Sequence, residues 1–219
     1  MMKSLCASLV IVLTLASVSS SRAQGSGMFM ENWKDLLVGP MVTGGVGINA
    51  GAVDTGFKTG IRPAFSVGAM FIYPWSPDMA LTVGLCYDAR GVNFHSPTST
   101  DTGFNVSLGY IALRPEFRIM GFMIGLGLGL PVSGSATEIE TGTSSTITTS
   151  DLGFLLEGRI GADIPVWKSD ASQLHLMIEG SYGFTKVYSS SFVPSDTKDN
   201  GPLATAEIGL AYFFDLTPH

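Results

Sequence analysis

Phe122-Met123-Ile124-Gly125-Leu126-Gly127-Leu128-Gly129-Leu130 sets apolar side chains at 124, 126, 128 and 130 against glycines at 125, 127 and 129. Side chains leave a β-strand on opposite faces in turn, so this two-residue rhythm is a strand pattern and not a helical one. The rhythm returns in seven other segments. In each, one face is Leu, Ile, Val and aromatic residues and the other is Gly, Ser, Thr and ionised residues. Eight strands, each apolar on one side, predict an all-β fold: an eight-stranded antiparallel up-and-down transmembrane β-barrel, apolar outside and polar inside.

The other segments lie near Val42–Gly51, Ala64–Tyr73, Leu81–Arg90, Val106–Ile119, Leu152–Ile164, Leu174–Thr185 and Thr205–Phe214. The Val106–Ile119 segment changes phase. Val106, Leu108 and Tyr110 share one face, while Ile111, Leu113, Phe117 and Ile119 take the other. A bulge near Tyr110 would reconcile them. Connections alternate in length. Pro74–Asp78, Met120-Gly121 and Val166–Gln173 are short, whereas Ala52–Ile61, Gly91–Phe104, Ser133–Ser150 and Lys186–Pro202 are longer and polar. Such barrels have short periplasmic turns and long outer loops, and an even strand number puts both termini in the periplasm.

The chain has 219 residues, room for one domain. It is 45% hydrophobic and only 14% charged, against about 25% charged in soluble chains. Lys3, the apolar run Leu5–Val18 and the small residues at Ser21 and Ala23 read as a signal peptide cleaved after Ala23. The run is short for a retained anchor, which needs about 20 residues. The expected division is therefore a signal peptide over 1–23, a periplasmic N-terminal segment over 24–41, the barrel over 42–214 and a tail over 215–219. The N-terminal segment has no strand pattern and is open to reading as an amphipathic helix, a lumen plug or a loose tail. Loss of Lys3 and Arg22 takes the 12 basic residues to 10 against 18 acidic, a net of −8. Nothing there attracts nucleic acid, which requires clustered positive charge. Cys86 is the one cysteine left, and no Cys/His cluster points to a metal. No cofactor is expected.

The polar phase collects Asp88, Arg90, Glu157, Arg159, Asp163, Glu179 and Glu207, joined by Arg114, Glu116 and Arg118 if the fourth strand takes its second phase. These ten form a predicted lumen charge network. An eight-stranded barrel is just wide enough for side chains to fill, and enclosed charges must be paired. A salt-bridged plug is one reading and a narrow ion pathway another. Tyr73, Trp75, Phe122 and Trp167, with Tyr212 and Phe214, are placed to form an aromatic girdle at the periplasmic rim. Phe94, Phe104, Phe184 and Tyr188 would gather at the outer one. No catalytic set stands out. His95 lies near Ser96 and Asp101, but adjacency in a loop is not the geometry of a triad. A non-enzymatic scaffold is the first reading, with the channel and a lipid-modifying or proteolytic barrel as rivals. A soluble, ligand-carrying barrel would need an apolar interior. Expected partners are outer-membrane lipid and an extracellular ligand met through the long loops.

The last strand, Glu207-Ile208-Gly209-Leu210-Ala211-Tyr212-Phe213-Phe214, resembles the C-terminal β-signal of outer-membrane proteins. The matching positions are Glu207, Gly209, Tyr212 and Phe214. The resemblance implies recognition by the barrel assembly machinery. It departs from the pattern in that Asp215–His219 follow the final aromatic. Gly45-Val46-Gly47-Ile48-Asn49-Ala50-Gly51, Val83–Gly91 and Tyr110-Ile111-Ala112-Leu113-Arg114-Pro115 are similar to segments of the small PorT-like outer-membrane β-barrel family. That implies a cell outer membrane location and an architecture more than a role.

Overall fold

The computed structural model describes residues 36–50, 57–76, 78–169, 171–187 and 202–216. The signal peptide, most of the N-terminal segment, Tyr188, His219 and the Trp75 side chain lie outside that description. The elements are β1 (Leu37–Asn49), β2 (Lys58–Gly60), β3 (Arg62–Ser76), β4 (Met79–Ser96), β5 (Ser99–Ile119), β6 (Phe122–Glu138), β7 (Ser144–Thr146), a 3₁₀ turn (Thr149–Asp151), β8 (Leu155–Lys168), β9 (Ser172–Gly183) and β10 (Leu203–Asp215). Eight of these strands are long. Each pairs antiparallel with its neighbours in chain order, and β1 closes on β10 through pairs such as Val42 with Leu210 and Gly45 with Glu207. The ring leaves no open edge, which an isolated sheet of this apolar composition would expose to aggregation.

The outward stripe is apolar and exposed. Leu126, Ile160 and Ile208 are 47%, 66% and 57% exposed. The glycines of β6 face inward, because large neighbours fill the space. A Cβ at Gly127 would lie 2.6 Å from Glu157 Cγ, and one at Gly125 would lie 2.6 Å from Glu116 Cγ. At the short-turn end, Met120 and Gly121 both have positive φ, 51° and 86°. That is the backbone of a two-residue hairpin whose twist matches its strands.

Several strand bounds and phases differ from expectation; the strand expected from Leu152, for example, starts at Leu155. First, β1 starts at Leu37 and not Val42, so Gly39-Pro40 lies within a strand. A Cβ at Gly39 would sit 1.7 Å from the Tyr212 carbonyl oxygen of β10, so the glycine that looks like a breaker permits close pairing. Second, β5 has no bulge. Val106, Leu108, Tyr110, Ala112, Arg114, Glu116 and Arg118 are all buried on one uninterrupted face. The register shift opposite Gly109 and Tyr110 belongs to β6, where Ser133 pairs with Gly109 and Pro131 with Tyr110, leaving Val132 over. Third, the segment read as a long loop at Gly91–Phe104 is largely strand, and half of Ser133–Ser150 is strand as well. β4 and β5 continue as a hairpin, and β6 runs on to Glu138 and pairs with β7. Fourth, Asp215 belongs to β10 rather than to a tail.

Candidate functional site

The inward faces build three layers. At the short-turn end Leu37, Met41, Met70, Ile72, Ala80, Met123, Met177, Ala211 and Phe213 pack as a buried apolar cluster. Toward the long-loop end Val92, Phe94, Val106, Leu108, Tyr110, Leu155 and Leu203 form another, joined by Ile147, Leu152 and Val187 from the connections. The charged residues lie between. The interior is therefore not polar throughout. Phe94, expected in an outer girdle, is instead a buried member of the upper layer, because it shares the inward phase of Asp88, Arg90 and Val92.

The ten predicted network residues are all buried, and the structure brings them together across the ring. Arg90 of β4 meets Asp88 at 3.2 Å, Glu157 of β8 at 3.1 Å and Glu207 of β10 at 3.2 Å. Arg114 of β5, with no exposed surface, donates to Asp88 Oδ1 at 2.5 Å and lies 3.7 Å from Glu179 of β9. Arg159 of β8 meets Glu116 at 3.1 Å and Glu157 at 2.5 Å, and also pairs with Glu179. Arg118 pairs with Asp163 near the lower layer and places its guanidinium 5.8 Å from the centre of the Phe213 ring.

Inward-facing hydroxyls complete the cluster. Thr43 and Ser66 donate to Glu207, the latter at 3.0 Å. Arg114 Nη2 donates to Ser66 Oγ at 2.6 Å, and Arg90 Nη1 donates to Thr205 Oγ1 at 2.7 Å. Their signal in the chain was only their phase. Such pairing is what a water-poor interior requires, since an unpaired ion there costs several kcal/mol.

The histidines fall in two settings. His175 is buried. Its Nδ1 lies 2.8 Å from Asp163 Oδ1 and its Nε2 3.0 Å from Gln173 Oε1, with its ring edge-on to Phe213 at 4.9 Å. His95 Nδ1 lies 2.9 Å from Asn93 Oδ1, while the Ser96 hydroxyl bonds Thr98. The structure therefore does not join His95, Ser96 and Asp101 by hydrogen bonds among the described residues. Cys86 is buried beside Asp88, with Sγ 3.3 Å from Oδ1.

Of the predicted girdle, Phe122 and Trp167 are exposed at the short-turn end and Tyr73 is partly exposed there. Trp167 stacks on Tyr212 at 6.4 Å, and Tyr212 meets Phe214 edge-on at 5.0 Å. In the closing strand Glu207 points into the network. A Cβ at Gly209 would lie 2.1 Å from the Val42 carbonyl oxygen, so glycine there permits the tight β1–β10 seam.

No family model matches the chain, and no curated protein matches it. Among solved structures it is similar to Ail, the attachment invasion locus protein of Yersinia pestis, at 14% identity over 82% of this chain and 99% of that one, with a TM-score of 0.44. It is similar to Neisserial surface protein A at 15% identity over 80% and 95%, with a TM-score of 0.39. It is also similar to the outer membrane protein OprG from Pseudomonas aeruginosa at 13% identity over 83% and 96%, with a TM-score of 0.34. At these scores the strand pairings of the chain itself, and not the likenesses, carry the fold.

Proposed function

We propose that this chain is an integral outer-membrane β-barrel protein that acts as a non-enzymatic scaffold, presenting its long-loop end to the cell exterior for surface interactions. The observation that carries this reading is the filled lumen. A layer of arginines bridges opposite sides of the ring, and the apolar layer above it includes Ile147, Leu152 and Val187 folded in from the connections. A lumen packed this way supports a wall and a display surface more than a conduit. The exposed Leu and Ile stripe supports contact with lipid, since a soluble domain rarely leaves an apolar surface this continuous open to water.

The signal peptide is removed after Ala23. The short turns and both termini face the periplasm. Glu207, Gly209, Tyr212 and Phe214 are read by the assembly machinery. Membership of the PorT-like barrels is part of this proposal and assigns no ligand. Partners are met at the outer hairpins, where Thr141, Gly142 and Thr143 are exposed at the tip beyond Glu138.

Two measurements test this. An epitope inserted at Gly142 should be labelled by antibody on intact cells. Purified protein in planar bilayers should give no discrete conductance steps. Steps that disappear when the lumen carboxylates are altered would replace the scaffold with a channel, and an epitope reached only after lysis would reverse the orientation.

A further inference from the structure

Arg62 differs from the other arginines among the described residues. Arg90, Arg114, Arg118 and Arg159 all have carboxylate partners in the lumen. Arg62 has none among the described residues; its Nε is buried without a hydrogen-bond partner, as are those of Arg90, Arg114 and Arg118, but only Arg62 also lacks a carboxylate. It lines a cavity of about 430 Å³ in the wall, with Phe65, Tyr87, Ser107, Ser133 and Ser135 on the outward side and the inward-facing Arg90 and Leu108 behind them. The cavity exists because the β3–β4 pairing ends at Phe65 and Ala89, and β4 is next paired by β2, from Asn93. Gly109 follows the lining residues Ser107 and Leu108 on β5. A Cβ there would lie 2.3 Å from Ser133 Oγ and 2.5 Å from Tyr87 Oη, so the glycine lets two hydroxyls converge. The Phe65 and Tyr87 rings, 6.2 Å apart, form one side. Every side-chain polar group named is a hydrogen-bond donor or a hydroxyl, so the site suits an anion. A buried guanidinium nitrogen without an acceptor is costly, and an oxyanion would satisfy it.

The depth of the cavity identifies the source of that anion. From Ile119 up to Gly109, β5 climbs ten residues, about 25 Å at a rise of about 3.4 Å and a tilt of about 40°. That is about the height of an apolar band. Below Gly109 the outward residues are Ile111, Leu113 and Phe117, all exposed, and Leu130 of β6 is exposed beside them. Above it are Ser107 and Asn105. The cavity thus sits where headgroups meet hydrocarbon, with apolar wall beneath it for acyl chains.

We infer that the Arg62 cavity is a docking site for the phosphate of a membrane lipid headgroup, with the acyl chains lying on the wall below. This rests on the outer-membrane reading above.

The test uses the full chain in detergent and native mass spectrometry. The probes are dioleoyl phosphatidic acid, dioleoylglycerol, which lacks only the phosphate, and inorganic phosphate as a competitor. Phosphatidic acid should be retained well above dioleoylglycerol and should not be displaced by millimolar inorganic phosphate. Arg62→Gln should weaken retention about tenfold, the size of one lost charge-assisted contact, and Lys168→Gln at the other end should not. If Arg62→Gln fails to fold, the Ser107→Ala/Ser133→Ala double variant should still lower retention. Equal retention of both lipids, equal retention by wild type and Arg62→Gln, or displacement by inorganic phosphate would each overturn the site. Heat-dependent mobility and co-flotation with phosphatidylcholine vesicles are recorded on the same samples. A chain that floats and shifts but ignores the phosphate contradicts this inference alone, whereas one that does neither contradicts the membrane reading as well.

Discussion

Arg159 and Ile160 are neighbours on β8, yet they live in opposite solvents. Arg159 is buried and bridges Glu116, Glu157 and Glu179, whereas Ile160 is among the most exposed large side chains of the protein. A soluble domain would reverse them. The inside of this wall is stabilised by specific pairing, with each arginine of the network set against one or more carboxylates. The outside depends only on its medium being apolar. Changes to the two faces should therefore fail in different ways.

The largest effect is expected inside. Arg159→Met leaves three carboxylates short of a cation and should lower stability by about 3–5 kcal/mol, read as a drop in the urea midpoint of the detergent-folded barrel. A loss below about 1 kcal/mol would show that the pairing is replaced by water or other groups, and the two faces would then be less distinct than described. Next comes the outside. Leu126→Arg places a charge on the lipid face near mid-height and should cost about 2–4 kcal/mol in lipid vesicles. The same change at Ser145, exposed beyond the barrel wall, should cost almost nothing. Equal costs at the two positions would remove the distinction between wall and loop.

A smaller and more local test concerns space rather than charge. Gly127→Ala would set a Cβ 2.6 Å from Glu157 Cγ and Oε1, while a Cβ at Gly44 meets nothing within 4 Å. Gly127→Ala should destabilise by about 1–3 kcal/mol and Gly44→Ala by a few tenths at most, compared in parallel unfolding curves. The smallest effect is kinetic. Cys86, buried between Asp88 and the wall, should resist a water-soluble maleimide in the folded barrel and react once urea unfolds it, as mass spectrometry of the adduct would show.

Much of this comparison was legible in the chain because the pleat has a period of two. Once Leu126 is placed outward, Gly125 and Gly127 must face in, and the same logic puts Asp88, Arg90, Glu157 and Arg159 on the inner face. What the phase does not report is height. Val106, Leu108 and Tyr110 are apolar and yet inward, because they lie in the upper layer under Ile147 and Leu152, above the ions. Read one strand at a time, they looked like a slipped register. Phe94 was misplaced for the same reason. The pairings within the network were also beyond reach. Arg114 meets Glu179 only because β5 and β9 face each other across a ring of this size, and no spacing in the chain encodes that. The bulge expected near Tyr110 is absent from β5; the extra residue is Val132 of β6, which returns Gly134 and Ala136 to the inside.

The claim on which the account depends is that the exposed stripe lies in lipid. Single cysteines at Ile160, Ile208 and Ser145, on a Cys86→Ala background, would carry spin labels in phosphatidylcholine vesicles. Their relaxation by oxygen, which concentrates in acyl chains, is compared with that by a water-soluble nickel chelate. Labels at Ile160 and Ile208 should respond strongly to oxygen and hardly to nickel, with the reverse at Ser145. Strong nickel relaxation at Ile160 and Ile208 in protein that co-floats with the vesicles would place the apolar stripe in water and contradict the account.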